Sequence, residues 1–465
     1  MKYRIGTASL IAALAISVQL LAQTQPDHNQ GTLIEFDAPG AATVSSPACA
    51  PFCGTAAFAN NDWGEIVGSY TDVNVVPHGF LRTPDGHFVS FDAPGAGLGV
   101  GLNEGTVPYA INDLGVIAGQ FDDPNHLFHS FIRYPDGSFT TFEAPGAGTG
   151  EHQGTLAYSL NLYGETGGVY YDGSNVQHGF VRSRQGEITT IDPIGSIYTM
   201  VCLETCLNID GAITGYYVDA SYVYHGFLRK PDGVITVLDG PGALETFAVG
   251  INETGTITGG FQVNPDGSGH AFLRSPDGEY TLFDVPPEVG TNTAPSGINA
   301  AGAVTGSFTD RNFNYAGFVR TADGTFSYFY APNGGQIASG LSIDSGGDVT
   351  GWYWDRNGEH GFVRTADGTF SALNAPRNIG CVPTSINPAG DITGNCIVNQ
   401  VFGAFWGAFV QERNGRFFRL DVPSTIQTVG PSGINSAGEI TGTYYLAPGS
   451  GYPHAFLRTW RRRKH

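Results

Sequence analysis

The chain has 465 residues with 42 acidic and 22 basic side chains, so its formal net charge at pH 7 is −20. Such a charge repels nucleic acid and anionic membranes, and neither is expected as a partner. The 67 Gly, 30 Phe and 21 Tyr favour short strands joined by tight turns. No long segment beyond the N-terminus has a 3.6-residue apolar period, so the pattern predicts an all-β protein.

The two ends of the chain do not belong to the repeating pattern. Lys2 and Arg4 precede a largely apolar run, so residues 1–22 are expected to be a signal peptide; a membrane anchor is the alternative. Removing both cations makes the net charge about −22. The mature chain, 23–460, is expected to be secreted, extracellular or periplasmic, without membrane insertion. Residues 461–465 form a basic tail expected to be frayed and solvated.

One repeating unit organises the rest of the chain, and residues 251–284 show it clearly. Ile251 to Gly259 has the pattern of a short hairpin about an Asn-x-x-Gly turn. His270 to Arg274 then alternates with period 2, and Pro276-Asp277-Gly278 forms a turn before a returning strand. The pattern therefore predicts four short strands in each unit.

The unit recurs nine times at spacings of 43 to 51 residues. The turn begins at Asn61, Asn112, Asn161, Asn208, Asn252, Asn299, Asp344, Asn387 and Asn435. The third strand carries an aromatic ring each time, at Phe80, Phe131, Phe180, Phe227, Phe272, Phe318, Phe362, Phe409 and Phe456. This period and strand number are typical of β-propeller blades, and the Phe is expected in the core between blades.

The first and last units are complementary fragments. The ninth unit ends near Trp460, before its fourth strand, while residues 31–41 match a fourth strand with no unit before it. We expect residues 31–41 to be the closing strand of a single propeller of nine four-stranded blades, because closure leaves no unpaired edge. Two smaller propellers are the alternative fold.

The motif His-Ala-Phe-Leu at 270–273 and 454–457, each tied to an Ile-Asn-x-x-Gly hairpin, resembles the HAF family of probable extracellular repeats. The resemblance covers nearly the whole mature chain. It departs where a Trp usually follows the Leu, since this chain has Arg274 there. The resemblance implies a secreted repeat protein and carries over no catalytic residue.

Strand direction places the variable loops on one side of the propeller. Connections from the second to the third strand, and from each unit to the next, fall on one face, which we call the loop face. The opposite face, called the turn face, carries the Asn-x-x-Gly and Asp-Gly turns. The longest loops run over 95–109, 146–158 and 193–205. Binding sites usually lie on such loops, so we expect any site there or at the mouth of the central channel.

Repeated polar residues are interpreted as structural because every blade carries them. A His opens the third strand in seven units, and an Arg ends it in eight, where it is expected to pair with the acid after strand four, such as Asp92 or Asp284. Acidic and Asn residues in the loops between strands two and three, as at Asp122 with Asp123, are mainly turn formers. Calcium is the alternative there; otherwise no metal site and no cofactor is expected.

Residues that break the repeat are better candidates for function. Aromatic side chains that could stack on a ligand are Trp352, Trp354, Tyr171 and Tyr217. The non-repeated polar candidates are Glu104, Glu151, His152 and Glu204. No catalytic residue is assigned, because the sequence contains no nucleophile elbow, zinc-binding His-Glu-x-x-His or phosphate loop.

Six cysteines agree with an oxidising compartment. Cys381 and Cys396 flank the hairpin at Asn387 symmetrically, so they should face each other and form a disulfide. Cys49 with Cys53 and Cys202 with Cys206 are each four residues apart in predicted inter-blade loops and are expected to bridge within a turn; zinc is the alternative.

These observations favour a monomeric, secreted, non-enzymatic propeller that binds an extracellular protein or glycan through its loop face. An extracellular polysaccharide hydrolase or lyase using the same face is the second hypothesis. A structural component of the cell exterior is the third.

Overall fold

The computed structural model describes residues 31–42, 53–100, 104–201, 207–264, 268–337, 341–356, 358–375, 379–397, 406–420, 427–445 and 452–459. These residues form 37 β-strands and a 3-10 turn at Pro332–Gly334. The fold is therefore all-β, as the sequence predicts. Cys49, Cys202, Glu204, Cys206, the signal peptide and the basic tail lie outside the described residues.

The strands follow the predicted units in chain order. The N-terminal strand is β1 (Thr32–Phe36). Units one to three consist of β2 (Gly54–Asn60), β3 (Ile66–Thr71), β4 (Pro77–Arg82), β5 (Phe88–Phe91), β6 (Thr106–Ile111), β7 (Ile117–Asp122), β8 (Phe128–Arg133), β9 (Phe139–Phe142), β10 (Gly154–Leu160), β11 (Thr166–Tyr171), β12 (Gln177–Arg182) and β13 (Ile188–Ile191).

Units four to six consist of β14 (Ser196–Val201), β15 (Ile213–Asp219), β16 (Tyr224–Arg229), β17 (Ile235–Leu238), β18 (Glu245–Ile251), β19 (Ile257–Gln262), β20 (Gly269–Arg274), β21 (Tyr280–Phe283), β22 (Gly290–Ile298), β23 (Val304–Asp310), β24 (Tyr315–Arg320) and β25 (Phe326–Phe329).

Units seven to nine consist of β26 (Gln336–Ile337), β27 (Ser342–Ile343), β28 (Val349–Asp355), β29 (Gly358–Arg364), β30 (Phe370–Ala375), β31 (Ile379–Ile386), β32 (Ile392–Ile397), β33 (Trp406–Gln411), β34 (Phe417–Leu420), β35 (Gln427–Ile434), β36 (Ile440–Tyr445) and β37 (Pro453–Thr459). In unit seven the first strand is represented by the two short strands β26 and β27, which both pair with β28.

Each unit is an antiparallel meander in which chain order equals spatial order, as in the sheet β18-β19-β20-β21. The ninth unit has three strands of its own, and β1 supplies the fourth in the sheet β1-β37-β36-β35. Ile34 pairs with Leu457, and Phe36 pairs with Ala455. The prediction that the N-terminal strand completes the last unit is confirmed by this pairing.

The repeated Phe fills the core because a glycine stands opposite it. All nine Phe side chains of the third strands are 0% exposed. Phe272 pairs with Gly259 of the second strand, and a Cβ on that glycine would lie 2.4 Å from Phe272 Cζ. The same Gly–Phe pairing recurs in every unit, from Gly68–Phe80 to Gly442–Phe456. The missing Cβ therefore makes the space into which the ring packs.

Apolar clusters form between successive units rather than within one sheet. One cluster combines Val67 of unit one with Phe121 and Phe131 of unit two. An equivalent cluster joins Ala455 and Leu457 of unit nine to Ile66 and Phe80 of unit one. The last unit thus packs on the first in the same manner as consecutive units pack on each other.

On the turn face, the turn Asn side chains join neighbouring units. Asn61 Oδ1 accepts hydrogen bonds from Trp63 N and Glu65 N within its own turn, and its Nδ2 donates to Asn112 O of the next unit at 3.1 Å. The same inter-unit bond is donated by Asn112, Asn161, Asn208, Asn252, Asn299, Asn387 and Asn435. We call this set the Asn ladder.

The Asn ladder has two informative positions. Asn435 Nδ2 donates to Asn61 O at 2.9 Å, which connects the last unit to the first. Asp344 replaces the Asn of unit seven and has no amide with which to reach Asn387. Its Oδ1 accepts from Asp348 N at 2.8 Å, while its buried Oδ2 has no partner among the described residues.

The cysteine predictions fare unequally. Cys381 and Cys396 are paired residues of β31 and β32 and form the expected disulfide. Cys53 is buried and disulfide-bonded. The placement of Cys202 and Cys206 in an inter-blade loop is wrong, because strand β14 already occupies Ser196–Val201 before them. They follow this first strand instead, on its way to the Asn208 turn.

Among the described residues, no helix is long and apolar enough to cross a membrane.

Candidate functional site

The repeated His side chains on the loop face are held by structural contacts. His78 Nδ1 lies 2.7 Å from Asp92 Oδ1, and its ring stacks on Tyr70 at 5.1 Å. The hydrogen bond with Asp92 raises the pKa of His78. Equivalent His–acid pairs are His129–Glu143, His178–Asp192, His225–Asp239, His270–Asp284 and His454–Asp37. These histidines fasten the end of strand four to the start of strand three.

This pairing corrects the prediction for the repeated Arg residues. Because Gly79 pairs with Phe91, residue 78 faces residue 92, while Arg82 faces Phe88 at the other end of the strands. Arg82 instead places its guanidinium 4.9 Å from the ring centre of Phe36 in β1, a cation–π contact between units. Arg133 lies over Phe91 of the preceding unit in the same way.

Turn geometry accounts for the Asp-rich loops between strands two and three. Asp72 Oδ1 accepts hydrogen bonds from Asn74 N and Val76 N, which is an Asx turn. Asp123, Asp172, Asp219 and Asp310 repeat this arrangement. Within the described part of the chain, no group of three or more His, Cys, Asp or Glu has the arrangement of a metal site.

Two of the non-repeated polar candidates come together at one place on the loop face, between units two and three. Glu104 is 1% exposed, and its Oε1 lies 3.6 Å from His126 Nε2. The rings of His126 and His152 are 6.0 Å apart, and His152 N donates to His126 O at 2.8 Å. Glu151 is exposed beside His152, with its Oε1 3.6 Å from His152 Nε2.

Asp122 completes this group, which we call the acid–His cluster: Glu104, Asp122, His126 and His152. Burial raises the pKa of Asp122 to about 6, the carboxylates of Glu104 and Asp123 act in the same direction, and His126 and His152 oppose them. Glu104 Oε1 is buried without a hydrogen-bond donor among the described residues. The cluster therefore presents an unsatisfied acceptor and a carboxyl group that titrates close to neutral pH.

Local backbone conformation exposes the two His side chains. His126 and His152 have positive φ angles of 57° and 59°, which non-glycine residues rarely adopt. His126 occupies the position that Val75 takes in unit one, so a repeated turn here carries a titratable side chain. Sequence reasoning missed His126 and treated Asp122 only as a turn former. The substitution of His for the small or polar residues used elsewhere was the available signal.

The Trp pair lies on strand β28 of unit seven. Trp352 and Trp354 contact each other edge to face at 4.2 Å, and Trp354 is 48% exposed. Trp352 is partly buried and lines a cavity of about 190 Å³ between units seven and eight. The expectation of a ligand-facing role for this pair therefore has a specific place in the fold.

The two Tyr candidates do not join either site. Tyr217 is 5% exposed and stacks on His225 at 4.8 Å, so it is one of the repeated His-supporting rings rather than a symmetry-breaking residue. Its neighbour Tyr216 occupies the position equivalent to Trp352. Tyr171 is partly buried and donates a hydrogen bond from its hydroxyl to Gln177 Oε1 at 3.1 Å.

The loop face also displays large apolar side chains. Phe313 is 87% exposed and Tyr222 is 76% exposed, each at the tip of a loop between strands two and three. Both have positive φ angles, 61° and 63°. Exposed apolar rings held on a strained turn cost stability and contribute nothing to the core, so they are typical of contact surfaces.

Comparisons with known proteins extend only to the fold. No protein-family model and no curated protein matches this chain. Similar solved structures include the β-propeller domain of the Trilobed protease from Pyrococcus furiosus, 8% identical with a TM-score of 0.41, covering 68% of this chain and 96% of that one. Another is prolyl oligopeptidase B from Galerina marginata, at 10% identity, a TM-score of 0.45 and coverage of 72% and 54%.

A post-proline cleaving enzyme from Rickettsia typhi is also similar, at 10% identity and a TM-score of 0.39, with 73% of this chain and 57% of that chain covered. The chain thus spans little more than half the length of these two peptidases. The architecture follows from the strands themselves: repeated four-stranded meanders stacked through apolar clusters are of the β-propeller class.

Proposed function

We propose that the protein is a secreted binding propeller whose nine units form a single ring and whose ligand is an extracellular glycan or protein held at the loop face. Three contacts support the single ring: β1 with β37, the cluster joining Leu457 to Phe80, and the bond from Asn435 to Asn61. A cavity of about 300 Å³ lined by the turns of units one, two, three, eight and nine also fits a common channel mouth.

Secretion is part of this proposal. The disulfide between Cys381 and Cys396 is typical of an oxidising compartment. The predicted signal peptide and the resemblance to HAF repeats point to the same location. Cleavage by signal peptidase near residue 22, read by N-terminal sequencing of exported protein, tests this directly.

The acid–His cluster is the observation that carries the binding function. Glu104 is buried with a carboxylate oxygen that no donor in the described chain satisfies, and an unmet buried acceptor is costly for stability. A ligand that donates a hydrogen bond or brings a positive charge would recover that cost. The group combines side chains from a loop between units and from two further loops, so it is not a consequence of the repeat.

A hydrolase is the second candidate, and Asp122 is the observation in its favour. A carboxyl group with a pKa of about 6 can donate a proton near neutral pH, and Glu104 is a second carboxyl group nearby. In this reading Asp122 is the general acid and Glu104 is the base or nucleophile. Loss of cleavage in an Asp122→Asn variant is the required result.

One experiment separates the two candidates. Mature protein is incubated with a panel of polysaccharides and scored both for retention and for release of reducing ends. Glu104→Gln and His152→Ala should weaken retention at least about tenfold. Glu187→Gln, an exposed carboxylate on the turn face, is the matched control and should have no effect. Retention unchanged in both cluster variants would contradict the proposed site.

A further inference from the structure

The seam between units seven and eight differs from the other seams in several ways. The Asn ladder is interrupted there by Asp344, and a cavity of about 190 Å³ lies between the two units. The cavity is remote in sequence from the acid–His cluster and shares no residue with it. Trp352 provides an indole surface, and Pro383 provides a second apolar surface.

The chemistry of the lining is uncharged and rich in hydroxyl groups. Ser342, Thr350, Thr384 and Ser385 line the cavity, and none of its described lining residues carries a charge. Thr384 Oγ1 donates to Thr393 O at 3.3 Å, and Thr350 is buried. A ligand here must therefore be neutral, must exchange hydrogen bonds with hydroxyl groups, and must present a flat apolar face to the indole.

Size restricts the ligand further. A volume of about 190 Å³ equals roughly six water molecules at about 30 Å³ each, which suits one small ring and not a chain of rings. Equivalent positions in other units carry Tyr216, Gly260 or Ser307 instead of Trp352. A large aromatic residue at this seam is therefore a property of unit seven.

We propose that this cavity is a binding site for a single neutral sugar ring, which stacks on Trp352 and hydrogen-bonds to the serine and threonine hydroxyls. The ring can be a free monosaccharide or the terminal residue of a glycan, since both present the same chemistry. The site is independent of the acid–His cluster, so either assignment can fail without the other.

Calorimetry and tryptophan fluorescence test the site with glucose, galactose, mannose and xylose, each free and as the end of a trisaccharide. At least one neutral sugar should bind and change the fluorescence. Binding of the trisaccharide alone assigns the site to a chain end, and binding of both assigns it to any accessible ring. Glucuronate should bind about tenfold more weakly than glucose, because the lining offers its charge no partner.

Substitutions locate the binding. Trp352→Ala should abolish it, and Ser385→Ala, which removes only a hydroxyl, should weaken it several-fold even if the larger change impairs folding. Trp63→Ala, on the turn face and 68% exposed, is the control and should bind as the parent does. The proposal is wrong if no neutral sugar binds, or if folded Trp352→Ala and Ser385→Ala both bind with unchanged affinity.

Discussion

His454 Nδ1 lies 2.9 Å from both carboxylate oxygens of Asp37, a residue 417 positions earlier in the chain. The same contact joins His78 to Asp92 within unit one, where the two residues are 14 positions apart. A local contact of the repeat is thus made, in the last unit, between the two ends of the chain. The ninth unit is completed by the N-terminal strand through side chains as well as backbone.

The Gly–Phe pairs should be sensitive to a single methyl group. Gly259→Ala places a Cβ 2.4 Å from Phe272 Cζ and 2.5 Å from Phe247 O. Overpacking of this kind should lower the free energy of unfolding by about 1–3 kcal/mol. The neighbouring Gly260 is the matched control, because its nearest contact would be 3.5 Å away. Equal melting temperatures for both variants would refute the packing role of the glycine.

Asp344 offers a stabilising substitution. Asp344→Asn supplies the missing amide donor and should complete the Asn ladder toward Asn387, raising the free energy of unfolding by about 1 kcal/mol. Asn299→Asp makes the opposite change in unit six and should lower it by a similar amount. Urea unfolding measures both. A destabilised Asp344→Asn protein would mean that the carboxylate has a role other than a lost donor.

The same residue predicts an unusual pH dependence. Burial raises the pKa of Asp344, so the folded protein binds this proton more tightly than the unfolded chain. Stability should therefore increase as the pH falls from the folded pKa toward the unfolded pKa of about 3.9. The difference between parent and Asp344→Asn should shrink over this interval. A difference that stays constant with pH would contradict the assignment.

The His–acid pairs predict the opposite boundary. Hydrogen bonds to Asp92 and Glu143 raise the pKa values of His78 and His129. Their contribution is fully present below the unfolded pKa of about 6.5 and is lost as the pH rises through the folded pKa. His78→Gln should flatten this part of the stability profile, whereas His87→Gln in an exposed hairpin should not. Thermal unfolding from pH 5 to pH 9 makes the comparison.

The sequence predicted what depends on the repeat. The period, the buried Phe, the Cys381–Cys396 disulfide and the pairing of β1 could all be derived because strand register is set locally. Register also assigns His78 rather than Arg82 to Asp92, so that error was avoidable. The Arg residues contact rings of the preceding unit instead, and such contacts between units are not visible in one repeat.

The sites were less predictable for a physical reason. Glu104 and His152 were selected because they break the repeat, but their proximity depends on the path of long loops, which no periodicity determines. Tyr217 was selected wrongly, because the repeat itself requires an aromatic residue beneath His225. The cavity beside Trp352 exists only through the packing of two units.

A cross-link between the ends of the chain tests the single ring most directly. Thr32 pairs with Thr459, so a Thr32→Cys, Thr459→Cys double variant should form a disulfide in the monomer and raise the melting temperature. Thr32→Cys with Thr281→Cys of unit five is the control and should not cross-link. A double variant that stays reduced in the native monomer, or joins separate molecules instead, would contradict closure by the N-terminal strand.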